Sequence, residues 1–419
     1  VNQGIRGYAV VKDGASSFGY AVNVGGNIVR YSGAEVMSGS APSTGANVKT
    51  VPTGTSVTGT PYLTTSASPT YNSLSIDTSS ATGANFLSLN GTVSLSQGSI
   101  LFTGSNHFTI QGGTQLGANN TEVIVHQFGS GILTLSSKIS AGSGSLTKAG
   151  PGTLIVTNST NAYTGNTVVS AGTVQYASRT AFGTSTLYLN GGTRLQKITE
   201  EGNSAALTMA NNIILTGGQV ELNVDFTNAK DQWCSGVISG TGSLRITAGG
   251  GVGRAVTLTG NNTFSGGVTL DTTTTPGWIQ LGNANGLGVG TLTINHTGGN
   301  AAQGLGASTN LTVGTGVANN IVINSGATLN LGGPVATGNV LLSGVISGGG
   351  SLNKQDAAAT TFTLAGANTY TGTTRVASGT LALGASNVLP NTSNITLAGA
   401  TINASTFTDT AGTLAVSGT

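Results

Sequence analysis

Hydrolysis of a polysaccharide on a β-rich repeat scaffold needs clustered carboxylates, often with a bound cation and a basic residue. The sequence holds twelve Asp and Glu in 419 residues. Most stand tens of residues from the next, as Asp13, Glu35, Asp77 and Glu122 do. Glu200 and Glu201 are adjacent, so in a strand they would point to opposite faces. Glu221 and Asp225 are spaced to share a strand face, close to Lys230, Asp231 and Trp233. That is the one candidate carboxylate cluster, and a solvated outward face that aids solubility is the favoured reading of it. No catalytic residue is assigned, and the chain reads as a non-enzyme.

The remaining chemistry-bearing residues are as sparse. His107, His126 and His296 have no metal-ligand spacing, and no Gly-Gly-x-Gly-x-Asp calcium repeat occurs, so no metal is expected. The string GGGVG at 249–253 lacks the Lys-Ser/Thr of a phosphate loop, and no cofactor is implied. Cys234 has no basic residue or His beside it in sequence and reads as a small buried hydrophobe. Lys and Arg number 14 and form no stripe, which argues against nucleic acid. No apolar run reaches the roughly 20 residues of a membrane-spanning helix. Trp278, in the insertion DTTTTPGW at 271–278, and Trp233 are the candidates for stacking on a sugar, although each could instead pack a loop onto the scaffold.

The elements that hold these residues are strands. Charged residues are only 6% of the chain, Gly numbers 68, and the polar residues are Thr, Ser and Asn, which favour strands, turns and caps over helix. A short unit recurs in which Gly precedes alternating apolar residues: LNGTVSL (89–95), SAGTVQY (170–176), SGATLNL (325–331), SGTLALG (378–384). Alternation with period two is the strand signal, and the preceding Gly supplies the positive φ of a sharp corner.

A longer unit contains it. Segments 137–176, 235–270 and 343–383 align so that Leu146, Leu244 and Leu352 correspond. Asn161, Asn262 and Asn368 also align, followed by Tyr163, Phe264 and Tyr370, then Gly165, Gly266 and Gly372. A strand with one apolar face cannot fold alone. Coils stacked about 4.8 Å apart pair every backbone group and enclose the apolar side chains in a column. The expected fold is all-β, a right-handed parallel β-helix (solenoid) with an irregular N-terminal cap-like region. At about 20 residues per coil, it would have on the order of 20 coils. The aligned Asn residues could form a hydrogen-bonded ladder or simply tolerate left-handed turns. Residues 1–85, with a Pro/Thr/Ser-rich, loop-like stretch at 38–83, form the cap or assembly region. Residues 86–419 form the β-helix, with long repeats at about 86–195, 196–299 and 300–405 and a final partial coil.

In the aligned blocks the sequence resembles the passenger-associated, or autotransporter-associated β-strand, repeat. ISGGGSLNKQ (346–355) with LAGANTYTGTTRVASGTLAL (364–383) is the fullest match, and GSLTKAGPGTLIV (144–156) with NAYTGNTVVSAGTVQY (161–176) the next. The middle copy departs from the pattern, with Ile246 at the Lys position. The resemblance implies an exported β-helical stalk, secreted or at a bacterial cell surface. Read this way, the chain is an extracellular structural or adhesive protein, a rigid stalk or a fibre subunit. Its expected partners are other copies of itself, joined end to end through residues 1–40 and 405–419, and surface glycans. The alternative is a carbohydrate-binding or carbohydrate-cleaving β-helix.

Overall fold

A computed structural model describes residues 6–12, 18–24, 27–30, 35–36, 46–55, 61–198, 208–225, 232–249, 254–271, 277–295, 303–314, 316–333, 336–355 and 360–417. These residues contain no α-helix and form a parallel β-solenoid of about 14 turns. The turns are fewer than about 20 because coils are longer than expected. Paired residues lie 20 apart at Thr167 and Leu187 but 29 apart at Leu292 and Ile321. Corners and inserted loops take the difference. The chain divides into two compact units, Val1–Leu189 with Thr193–Leu195, and Asn190–Gly192 with Gln196–Thr419.

In the first unit, one sheet stacks Glu35–Val36, Asn47–Thr50, Thr70–Asp77, Thr92–Thr103, Glu122–Gln127, Ser145–Ala149, Thr167–Val169 and Leu187–Leu189. A second stacks Leu63–Ala67, Asn85–Asn90, Phe108–Gly112, Leu133–Leu135, Thr153–Val156 and Thr173–Tyr176. Inward side chains sit over one another in rows, as in Leu87, Ile110, Leu135, Val156. Each contributes at roughly 25 cal/mol per Å² of apolar surface buried. Parallel pairing already runs through 47–50 and 70–77, so the coil stack includes much of the stretch read as loop-like. Of its proline residues, Pro52, Pro61 and Pro69 sit between strands.

The part of the N-terminal region that departs from the solenoid is a three-stranded antiparallel sheet, β1 (Arg6–Lys12), β2 (Phe18–Val24) and β3 (Asn27–Arg30). It lies against outward side chains of the coils. Tyr20 packs on Leu101 and donates from its hydroxyl to the Leu74 carbonyl at 3.1 Å, while Phe18 stacks on Phe128 at 4.4 Å.

Among the described residues of the second unit, Ile213–Leu215 pairs in parallel with Ile238–Gly240, and three further parallel sheets hold the other strands. One stacks Gln219–Asp225, Ser243–Gly249, Val268–Leu270, Leu292–Ile294, Ile321–Ile323 and Ile346–Ser347. Another runs from Thr208–Met209 through Gly277–Leu281 and Ser351–Lys354 to Leu414–Ser417. The third holds Val340–Leu342, Thr361–Leu364, Thr380–Leu383 and Thr401–Asn403. Leu244 belongs to the first of these sheets and Leu352 to the second. The step between these copies is therefore not a whole number of turns, and each copy begins on a different face.

Candidate functional site

The aligned repeat positions converge on the inside of the coil, where they build a brace. Asn161 Oδ1 accepts the Ile139 N–H at 2.8 Å, and its Nδ2 donates to the Ala181 carbonyl at 2.7 Å. Asn262 does the same with Ile238 and Gly286, and Asn368 with Ile346 and Val388. Each amide therefore ties together three successive rungs. None of the three has positive φ, and none bonds another Asn, so both expectations for these residues give way to a cross-rung clip. True Asn–Asn pairs occur elsewhere, at Asn261–Asn285, Asn295–Asn324 and Asn330–Asn353.

Beside each clip sits a fully buried ring, Tyr163, Phe264 or Tyr370. Tyr163 Oη lies 2.8 Å from Thr167 Oγ1, which lies 2.8 Å from Ser185 Oγ. In the last copy Tyr370, Thr374 and Ser393 repeat this at 2.6 and 2.8 Å, and Ser393 also donates to the Gly372 carbonyl. Burial pushes the phenols up, that of Tyr370 to about 12. In the middle copy all three members change together. Phe264 replaces the Tyr, Val268 the Thr, and Gly290 stands at the Ser position, two residues before Leu292 as Ser185 and Ser393 are before Leu187 and Ile395. A polar group buried without a partner is costly, so the trio is kept whole or removed whole.

A buried lysine follows the same rule. Lys148 occupies the inward row Val125, Lys148, Val169, and Lys354 the row Leu331, Lys354, Val376; both are 0% exposed. Lys148 Nζ donates to the Gly150 and Ala171 carbonyls at 2.5 and 2.6 Å, and burial pushes its pKa down to about 7. Lys354 Nζ reaches the Ser378 carbonyl and lies 5.6 Å from the Phe362 ring centre. The middle copy has Ile246 here, in the wholly aliphatic row Leu222, Ile246, Leu270.

Two kinds of glycine support the brace. Gly172 and Gly379, just before strands, have φ of 72° and 69°, as a corner requires. Gly165, Gly266 and Gly372 do not have positive φ. They are needed because a Cβ there would overlap the backbone of Gly144, Gly242 or Gly350 one rung away.

The residues singled out for chemistry are dispersed or neutralised. Arg245 Nη1 lies 3.3 Å from Glu221, and its Nη2 lies 2.9 Å from Asp271, so an outward Glu–Arg–Asp ladder replaces the proposed cluster. Asp225 ends the strand carrying Glu221, and Lys230 and Asp231, like Asp13, Glu200, Glu201, Asp356, His296 and most of the insertion at 271–278, lie outside the described residues. Trp278 is 6% exposed, with its ring over Gly304, where any side chain would overlap it. It packs the coil and cannot serve as a sugar platform. Trp233 is half-buried, with its indole N–H enclosed and unbonded. His126 is buried beside Tyr20, and His107 accepts a backbone N–H from Ile132. Cys234 is 2% exposed, and burial pushes its thiol up to about 12. Among the described residues no group of three or more His, Cys, Asp or Glu could hold a metal ion, and no helix is long and apolar enough to cross a membrane.

Stacked coils, an internal repeat that precesses around them and a brace at each copy define a β-solenoid repeat protein. Within this class the chain carries the passenger-associated-transport-repeat, whose family model matches residues 146–175, 255–272 and 359–383. The chain is 30% identical over 205 residues to the "Adhesin BmaC autotransporter" of Brucella suis biovar 1 (strain 1330), a match that covers 47% of this chain and 6% of that protein. The chain thus matches only a small part of that relative's length. No solved structure matches it.

Proposed function

We propose that the chain is part of the exported, adhesive region of a bacterial surface or secreted protein, in which stacked coils act as a stiff spacer presenting outward side chains and loops. The observation that carries this reading is the coincidence of the repeat with the brace. Matched segments 146–175 and 359–383 contain the residues that lock one rung to the next, so the repeat is a device for rigidity. The likeness to an adhesin supports the adhesive part. A role without catalysis is supported by the Glu221–Arg245–Asp271 ladder, which ties up the nearest candidate carboxylates.

Surface glycans are the proposed partner class. The test is display of the folded chain on a non-adherent bacterium, with attachment to glycan-coated surfaces counted against an empty display scaffold. Attachment several-fold above the control is expected. Equal attachment would sink the adhesive reading, and product release from a polysaccharide would sink the non-enzymatic one.

End-to-end stacking into a fibre is the finer form of the proposal. Leu414 and Val416 sit in register with Ile395 and Leu397 and are 62% and 70% exposed, so they can seat a further rung, whether from a continuation of the chain or from another copy. Electron microscopy of concentrated protein decides it. Filaments support fibre formation, and isolated short particles at every concentration refute it.

A further inference from the structure

We propose that the cleft at the Ser96–Gly98 bulge binds the hydroxyls of an uncharged sugar, with the Glu122 carboxylate as their main acceptor. The inference rests on the glycan-binding reading above and gives it a location within the first unit. The strand Thr92–Thr103 is interrupted at this point. Tyr71 pairs with Leu95 and Ser73 with Ser99, so Ser96, Gln97 and Gly98 stand opposite Asn72 alone. An insertion of this kind bends a strand and re-aims its side chains. Gly98 takes the bend with φ of 64°, and a Cβ on it would overlap the Glu122 carbonyl. Ser96 Oγ fixes the bulge by donating to Asn72 Oδ1 at 2.7 Å. Thr70 and Ser94, paired before the bend, then share a cleft of about 560 Å³ with Gln97 in the bulge and with Glu122 and Ile124 of the strand paired after it. Small-ligand sites occupy about 300–1,000 Å³.

The lining chemistry selects the ligand. Asp77 has Lys49 at 3.2 Å, Glu221 and Asp271 share Arg245, and Asp409 accepts the Val388 and Leu389 N–H groups. Glu122 has no basic partner among the described residues; its Oε1 accepts the Thr147 hydroxyl at 2.5 Å, which leaves Oε2 for a ligand. An ionised acceptor makes stronger hydrogen bonds than a neutral one. The Thr70 and Ser94 hydroxyls and the Gln97 amide make no hydrogen bond among the described residues, and each can both donate and accept. Together these groups match the alternating donors and acceptors of a sugar diol, and Ile124 offers an apolar contact to the C–H face of the ring. The cleft contains no Lys or Arg, so a sugar acid would meet the Glu122 charge uncompensated.

Calorimetric titration of the full chain tests the site, with neutral trisaccharides of glucose, galactose and mannose as probes and trigalacturonate as the anionic comparison. At least one neutral trisaccharide should bind more tightly than trigalacturonate. Glu122→Gln should weaken that binding by at least about fivefold. Ser94→Arg, which fills the cleft and neutralises Glu122, should abolish it. Both positions are outward, so melting curves should match the original chain. Binding of no neutral trisaccharide, tighter binding of trigalacturonate, or binding indifferent to both substitutions overturns the site. Surface display separates this failure from that of the broader reading. Attachment that persists in Ser94→Arg places glycan recognition elsewhere on the chain and overturns the site alone, whereas an unaltered chain that attaches to no glycan surface sinks the adhesive reading itself.

Discussion

Thr374 is the middle member of a buried trio, and replacing it with the near-isosteric Val tests whether the trio is a unit. Thr374 is 0% exposed, with Tyr370 Oη 2.6 Å and Ser393 Oγ 2.8 Å from its hydroxyl. In Thr374→Val the Tyr370 hydroxyl loses that partner, while Ser393 keeps its bond to the Gly372 carbonyl. One stranded hydroxyl and two lost bonds should cost about 2 kcal/mol. Adding Tyr370→Phe removes the stranded group and reproduces the Phe264–Val268 pair of the middle copy, so the double variant should recover at least about 1 kcal/mol of that loss. Solenoids can open rung by rung, which makes hydrogen exchange of the amides at 374–376 and 395–398 the appropriate assay. The single variant should exchange there about 30-fold faster and the double variant markedly slower than the single. If the two losses simply add, or if Thr374→Val costs less than about 0.5 kcal/mol, the trio is not a coupled unit and the co-substitution in the middle copy has another origin.

Three further outcomes follow from the same geometry. Lys148 titrates near 7 in the fold and near 10.5 when unfolded, so over that window the unfolded chain holds a proton that the native chain has lost. Stability should therefore rise with pH from about 7 to 10.5, and Lys148→Met should flatten that rise in melting curves taken across the range. Gly372→Ala should cost about 1–3 kcal/mol through overlap with the Gly350 carbonyl, a loss read by hydrogen exchange of the same rungs. Trp278→Ala should cost about 3–5 kcal/mol by emptying a packed site while leaving glycan attachment unchanged; lost attachment with the fold intact would restore a binding role to this residue.

How far this architecture could be read from residues depended on the distance over which each signal acts. Alternation after Gly marks strands within a few residues, so the coils around Val174 and Leu381 were legible. The aligned Asn, aromatic and Gly positions were visible as a pattern, but their roles were not. An Asn clip joins residues about twenty apart on both sides, and coil lengths vary with inserted loops, so spacing alone does not reveal which backbone groups it meets. The Lys of the repeat looked like one more polar residue in an alternating strand, and only the stacked rows show Lys148 and Lys354 facing the core. The signal available was Ile246 in the middle copy, because an aliphatic residue replaces a lysine readily only where the site is interior. The antiparallel sheet was hidden for a related reason: the alternating residues of 18–24 and 27–30 predict strands but not that they lie on the flank of the coils.

The co-substitution also limits where a binding function can reside. Tyr–Thr–Ser with Lys and Phe–Val–Gly with Ile both fill the interior of the same coil path, so the column tolerates either set provided each is complete. Because the copies at Leu244 and Leu352 begin on different sheets, the brace operates on whichever face its copy meets. The interior therefore places little demand on outward residues, which are free to differ from rung to rung without loss of register. That freedom is what an adhesive surface needs. It predicts that exchanging the outward Thr269 and Thr293 for Lys and Glu changes surface recognition, while hydrogen exchange of the rungs that carry them stays within about 0.5 kcal/mol of the original.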